Sequence, residues 1–554
     1  MNFFSFEFLA SFTAFFLIYW LCQKKTRLQN ILLITASYLF VFSFQASFAY
    51  VLAGYTLFIY LLTNVLGSRL SARAVYSLLA AGIIGCFTVF KYYGFMQESL
   101  QSALLQAGVE VELPVLSVLA PLGLSFYAFH SVSYVVSVCR KEIEKAPFLD
   151  VVLYLCFFPS IVAGPINRAK AFMPQVQAAS REIIDYKKAL LLITLAMVKL
   201  FLFSAYLSEN FANPVFSSPV NYSAGEILVA VYAYAWNIYF NFSGYTNLVT
   251  GIAMLLGFRV PLNFSAPYLA TNLKEFWARW HISLSTFIRD YIYIPLGGNR
   301  KGWLRMNLNA FIAMVISGIW HGVGLPFIIW GALHGLGIVL MNIKHKLLPP
   351  RTEPAETLWQ KTEVWTARIF TFHVLCLTWI FFRSATLSDA VTMLTQLTAD
   401  GFIASVMASA PLIIAFWLLL FIYPLCVSLY HRAGHYYQRI SWIWYPLPLA
   451  LFMTLVFIFS PSGMPGFYLC EFLILQKISS GPLEGRLYCA DRNRGTGLAE
   501  PEPAGPLLGT DLPPACAVGE AGGALRVGSG GLPSGRRGGG RRDPVDLCTG
   551  QPYR

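Results

Sequence analysis

A run of about 20 apolar residues is what a helix needs to cross a bilayer. This chain carries such runs, or nearly such runs, near 7–22, 30–45, 47–66, 74–90, 114–138, 149–164, 189–206, 226–243, 245–257, 307–320, 325–341, 366–382, 411–430 and 443–460. Inside hydrocarbon every backbone N–H and C=O must find its partner within protein, so only helices and closed barrels span. The pattern therefore predicts an all-α polytopic membrane protein with about 11–13 transmembrane and re-entrant helices. The shorter runs, 149–164 and 245–257 above all, are expected to be re-entrant or half-membrane helices. Such ends must be satisfied by protein or by a wet cavity, which predicts a polar chamber within the bundle.

Charge and cysteine usage agree with lipid as the solvent. Only 12% of the 554 residues are charged, against about 25% in soluble chains. The net charge of +13 falls in short clusters between apolar runs, such as Lys24, Lys25 and Arg27, then Lys187 and Lys188, then Arg300, Lys301 and Arg305. That is the positive-inside pattern of cytoplasmic loops, so no nucleic-acid partner is expected. The ten cysteines are scattered without a CxxC pair and read as packing residues, so no metal site is expected. The first run, about Phe8–Leu21, has no basic region before it and reads as a membrane helix rather than a cleaved leader. Residues 1–476 are expected to form the membrane domain. No Phe, Trp or Ile follows Ile478, and Gly, Pro and Arg take over; residues 477–554 are therefore expected to be disordered, and the abrupt change also fits an altered reading frame.

The stretch from about Asn263 to Arg305 is rich in Trp, Tyr, Pro and charge, and is expected to lie at an interface rather than cross. It contains EFWARWHISLSTFIRDYIYIPLGGNR. A continuous helix there would bring His281, Ser285 and Arg289 near one face beneath Trp277, Leu284 and Ile288. That face suits an anionic, thioester-bearing donor; the plainer reading is an interfacial helix with snorkelling cations. His321, in SGIWHGVG, sits between two apolar runs and among Gly318, Gly322 and Gly324. Ionisable groups in such segments are functional candidates. A neutral imidazole there could take the proton of an acceptor hydroxyl, as acyl transfer to an alcohol requires; the alternative is a structural histidine bonded across the bundle. His334 reads first as structural. Arg168, after the Gly-Pro turn of FFPSIVAGPINR, is either a phosphate contact or a membrane-edge anchor. The chain has no GxSxG, HExxH or GxxxxGK[ST] motif, which argues against serine hydrolases, zinc proteases and P-loop transporters.

Taken together, the blocks PLGLSFYAFHSVSYVVSVCR (121–140), FFPSIVAGPINR (157–168), residues 239–300, SGIWHG (317–322) and TFHVLCLTWIFFR (371–383) resemble the membrane-bound O-acyltransferase family. The resemblance runs from about Met1 to Phe472 and is strongest to the bacterial branch with the alginate O-acetyltransferase membrane subunit and its cellulose-acetylating relatives. It implies a ring of helices around a central funnel in the bacterial inner membrane. It implies that His321 matches the family's catalytic histidine and His281 the second histidine of this branch. Arg168, Arg289 and Asp290 match recurrent polar positions. With Trp280 they are the expected donor contacts; His334, Asn241 and Ser285 are secondary polar candidates. Ser137, Asn241 and Asn247 stand where relatives often carry Asp, leaving that network less acidic.

The expected activity is transfer of acetyl from a cytoplasmic thioester donor, acetyl-CoA, across the membrane to an exported polysaccharide, alginate or cellulose. No bound cofactor is expected. The expected partners are membrane lipid, the donor, a periplasmic acetyltransferase and the polysaccharide export machinery. Two alternatives stand beside it: a transporter or scaffold subunit of an export complex, or alanyl transfer to teichoic acid. The absence of an internal repeat between 1–230 and 231–476 counts against a transporter.

Overall fold

The computed structural model describes residues 6–444 apart from 116–118, 163 and 349–356, with isolated positions out to 458. The tail expected to be disordered, 477–554, lies outside the described residues. Among the described residues there is no strand. The principal helices are α1 (Phe6–Leu21), α2 (Thr26–Phe42), α3 (Ala46–Ser68), α4 (Ala72–Gln106), α5 (Leu124–Cys139), α6 (Phe148–Cys156), α7 (Tyr186–Ser217), α8 (Ala224–Leu255), α9 (Leu273–Arg279), α10 (Ile282–Ile288), α11 (Trp303–His321), α12 (Leu325–Leu347), α13 (Leu358–Arg383) and α14 (Ala410–Arg439).

Six described helices, α3, α4, α7, α12, α13 and the Ala410–Tyr437 part of α14, are long and apolar enough to cross a membrane; α2, α5 and the Glu7–Leu21 part of α1 are shorter apolar helices. Their outward faces carry large apolar side chains, among them Leu39, Ile84, Leu340, Phe370, Leu418 and Leu425, all exposed. In water such a surface would be a severe liability, whereas against lipid tails it has no cost. The protein is a multi-pass membrane protein.

The interior is organised around α8. Glu226 reaches back to accept from the Ser223 N–H (2.9 Å), closing a capping box at its start. Most of its 32 residues are buried. This corrects the expectation of two elements at 226–243 and 245–257, the second half-membrane: they form one unbroken helix. No proline interrupts it. Gly244 and Gly251 serve close approach rather than a break, since a Cβ at Gly244 would lie 2.8 Å from Leu200 and one at Gly251 2.8 Å from the Ala189 carbonyl. The 149–164 run is genuinely short. Helix α6 stops at Phe157, whose ψ of 99° leaves the helical region, and the turn Phe158–Ile161 follows. At this end the Phe158 N–H donates to Ser37 Oγ (3.1 Å), and the Tyr154 hydroxyl donates to the Asn167 carbonyl (2.8 Å).

The 263–305 stretch contains no span. Asn272 caps α9 by accepting from the Glu275 N–H (2.9 Å). The chain then turns at Trp280 and His281 before α10 begins. His281 has φ 43° and ψ 52°, the left-handed region that interrupts any helix. The continuous helix that would align His281, Ser285 and Arg289 is therefore not formed. His281 is buried and packs edge-on against Phe242 of α8 (4.6 Å between ring centres). Arg289 keeps half of its side chain exposed.

Candidate active site

Helix α11 ends at His321, and the following turn folds α12 back against it. Glycines set that approach. A Cβ at Gly318 would lie 2.2 Å from the Phe327 carbonyl oxygen, one at Gly331 2.6 Å from the Met314 carbonyl oxygen, and one at Gly322 2.1 Å from the Phe327 ring. Any larger residue would force the two helices apart. The result presses the His321 ring against Trp320, Trp330 and Phe382, with ring centres 4.5, 5.0 and 5.2 Å away. His321 is only partly buried. His281, Lys91 and His334 are all close enough to interact electrostatically with it.

The other two histidines are more enclosed. His281 is 1% exposed, and neither ring nitrogen has a hydrogen-bond partner among the described residues. A buried polar group without a partner is costly. His334 is fully buried. Its Nδ1 accepts from Trp277 Nε1 (3.3 Å) while its Nε2 has no protein partner among the described residues. Trp330 lies between it and His321, with ring centres 4.8 Å from His334 and 5.0 Å from His321.

A cationic cluster forms from the predicted donor residues. Asp290 bridges Arg168 (3.2 Å) and Arg289 (2.8 Å). Arg168 also lies over the rings of Tyr291 (4.7 Å) and Phe287 (5.1 Å), and its Nη1 has no partner among the described residues. Two guanidinium groups thus share one carboxylate. Trp280 is buried and stacked on Phe276 (5.4 Å), with Trp379 5.4 Å away, inside the aromatic core. Ser285 folds its hydroxyl back onto the Trp280 and His281 carbonyls (3.1 and 3.2 Å).

Ser137, Asn241 and Asn247, expected from the resemblance to stand in place of Asp, each have a polar partner. Ser137 donates to Glu142 (3.3 Å) and Asn241 to Ser204 Oγ (3.0 Å). With its amide oxygen turned toward Lys199, Asn247 accepts from the Lys199 ammonium (3.1 Å). Near α9, Glu275 accepts from the Thr271 N–H and hydroxyl (both 2.8 Å) and pairs with Arg279 (2.8 Å). Burial pushes its carboxyl upward, but these partners outweigh burial and hold it below the usual carboxylate range.

Sequence reading missed a second polar group at Ile166–Arg168. The Asn167 N–H donates to buried His130 Nε2 (3.1 Å), the Ile166 N–H to Ser283 Oγ (3.0 Å), and Ser283 Oγ to Asn263 (2.6 Å). It also missed Lys91. The signal was present in both cases, an ionisable residue within or beside an apolar run. A mostly apolar cavity of about 320 Å³ lies along α11, lined by Tyr92, Phe129, Leu284, Ile288, Ile316 and Trp320 among others.

The fold is thus a polytopic helical bundle in which His281, His334 and Lys91 all act electrostatically on His321. Residues 8–382 match the model of the membrane-bound O-acyltransferase family, and the chain belongs to that family. It is an O-acyltransferase. It is 33% identical over 406 residues to the probable alginate O-acetylase AlgI of Pseudomonas putida, covering 72% of this chain and 80% of that protein. Against the Pseudomonas aeruginosa protein of the same name it is 32% identical, covering 72% and 74%. It is 31% identical over 306 residues to the peptidoglycan O-acetyltransferase of Helicobacter pylori, covering 50% and 57%.

Proposed function

We propose that the protein transfers acetyl from a cytoplasmic thioester, acetyl-CoA, to an exported polysaccharide of the alginate or cellulose type across the bacterial inner membrane. The observation that carries this reading is His321 at the end of α11, only partly buried, with His281 and His334 close enough to interact with it. The names of relatives that acetylate alginate and peptidoglycan support the choice of acyl group and polymer class.

In the proposed step a neutral imidazole at His321 removes the proton from the acceptor hydroxyl. The hydroxyl oxygen forms the new bond to the thioester carbonyl carbon, the C–S bond breaks, and the imidazolium returns its proton to the departing thiolate. His281 assists through one of its unpartnered nitrogens, and Arg168 and Arg289 hold the donor's negative groups. A periplasmic acetyltransferase and the export machinery are the proposed downstream partners.

The test is His321→Ala in purified full-length protein, reading acetyl-CoA consumption and polymer acetylation. Loss of both by about 10²-fold or more is expected for removal of a general base; wild-type turnover would remove His321 from the mechanism. A relative named as a teichoic acid D-alanyltransferase, 28% identical over 269 residues in Bacillus subtilis, gives the alternative acyl group. Mass spectrometry of acyl groups on the cell polymers separates the two.

A further inference from the structure

The carbonyl end of α11 is held by two consecutive side chains from another helix. The last carbonyls of a helix have no intrahelical donor and need a partner elsewhere. Here the Lys91 ammonium donates to the Trp320 carbonyl and the Tyr92 hydroxyl donates to the Ile319 carbonyl (2.7 Å). Both residues lie in the π-helical turn Thr88–Tyr92 of α4, and π-turns concentrate at functional sites. The Lys91 ammonium also sits near the faces of Tyr92 (5.7 Å), Phe87 (5.9 Å) and Trp320 (5.9 Å), and among the described residues no carboxylate pairs with it. A cation at a helix C-terminus is favoured by the helix dipole as well as by the hydrogen bond. An intramembrane lysine with no counter-ion among the described residues, spent on the residue immediately before His321, is costly unless it does something there.

We propose that Lys91 and Tyr92 form a clamp that positions His321. The clamp fixes the last turn of α11 from one side, while the close α11–α12 contacts at Gly318, Gly322 and Gly331 fix it from the other. The imidazole thereby keeps one place relative to donor and acceptor, where a misplacement of an ångström would slow transfer. Lys91 and Tyr92 are positioning residues that act through the backbone of α11. This inference rests on His321 as the base.

Hydrogen exchange across residues 314–323 of the detergent-solubilised full-length protein tests it, with acetyl-CoA turnover measured in parallel. In Lys91→Met the last-turn amides are expected to exchange at least about fivefold faster. Tyr92→Phe moves them less in the same direction, and Lys91→Arg, which keeps a cationic donor, restores them. The turnover number of Lys91→Met falls by about tenfold or more with KM for acetyl-CoA nearly unchanged, and Lys91→Arg recovers it. Wild-type exchange in Lys91→Met overturns the clamp, as does Lys91→Arg behaving no better than Lys91→Met. If Lys91→Met does not fold, wild-type exchange in Tyr92→Phe overturns it equally. The exchange readout does not depend on catalysis, so an active His321→Ala would remove the base while leaving the clamp intact.

Discussion

At the scale of single residues, the site is made by side chains whose surroundings withhold partners. His281 is the sharpest case: a left-handed backbone, an aromatic neighbour, and two ring nitrogens left without partners among the described residues. Its presence near His321 was readable only through the family resemblance; its local geometry was not readable, because a helical reading of WARWHISLS ignores the turn that Trp280 and His281 make. Glu275 shows the opposite treatment, a carboxylate whose polar neighbours all favour its charge. Its folded pKa lies below the unfolded value, so its contribution is complete above the unfolded carboxylate pKa and is lost as pH falls through the folded one. Glu275→Gln is expected to lower stability at pH 7 by roughly 1–2 kcal/mol, and thermal unfolding measured as a function of pH should show the gap closing in acid. A gap independent of pH would mean that the loss is packing rather than charge.

At the scale of elements, the α11–α12 hairpin decides where His321 sits. Small residues around His321 permit close backbone approach as well as room for a substrate. In the folded protein two of them serve close approach, since Gly318 and Gly322 admit the backbone and ring of Phe327. Gly318→Ala would set a Cβ against a backbone oxygen that has nowhere to go. A loss of about 1–3 kcal/mol in stability is expected, together with a fall in turnover larger than in the surface control Gly108→Ala, whose site has open space but a left-handed φ. Thermal unfolding and acetyl-CoA turnover on the same preparations measure both. Unchanged turnover in a folded Gly318→Ala protein would show that the spacing of α11 and α12 does not set the position of His321. The 226–257 region makes the complementary point. Two apolar runs joined by Gly244 look like two elements, yet tertiary contact with Leu200 makes the glycine a packing residue within one helix.

At the scale of the whole molecule, the exposed leucines and isoleucines on α2, α4, α12 and α14 show a body whose outer solvent is lipid. The composition after Ile478, rich in Gly, Pro and Arg, lacks the large apolar side chains that bury a core. A chain ending at residue 476 is therefore expected to retain acetyl transfer within about twofold of the full chain. Membrane fractions expressing both forms give the measurement, and a loss of about tenfold would assign the tail a role.

The sequence alone determined the solvent, the helical class and the family, because each is carried by local composition and by motifs that survive without knowing which segments touch. It also marked His321, an ionisable group in an apolar setting. Only the tertiary structure joined Asp290 to two arginines, ended the Trp303–His321 helix under the side chains of Lys91 and Tyr92, and broke the helix at His281. These depend on contacts between residues far apart in the chain, or on a backbone choice that packing against Phe242 holds in place, and neither leaves a periodic trace in the sequence.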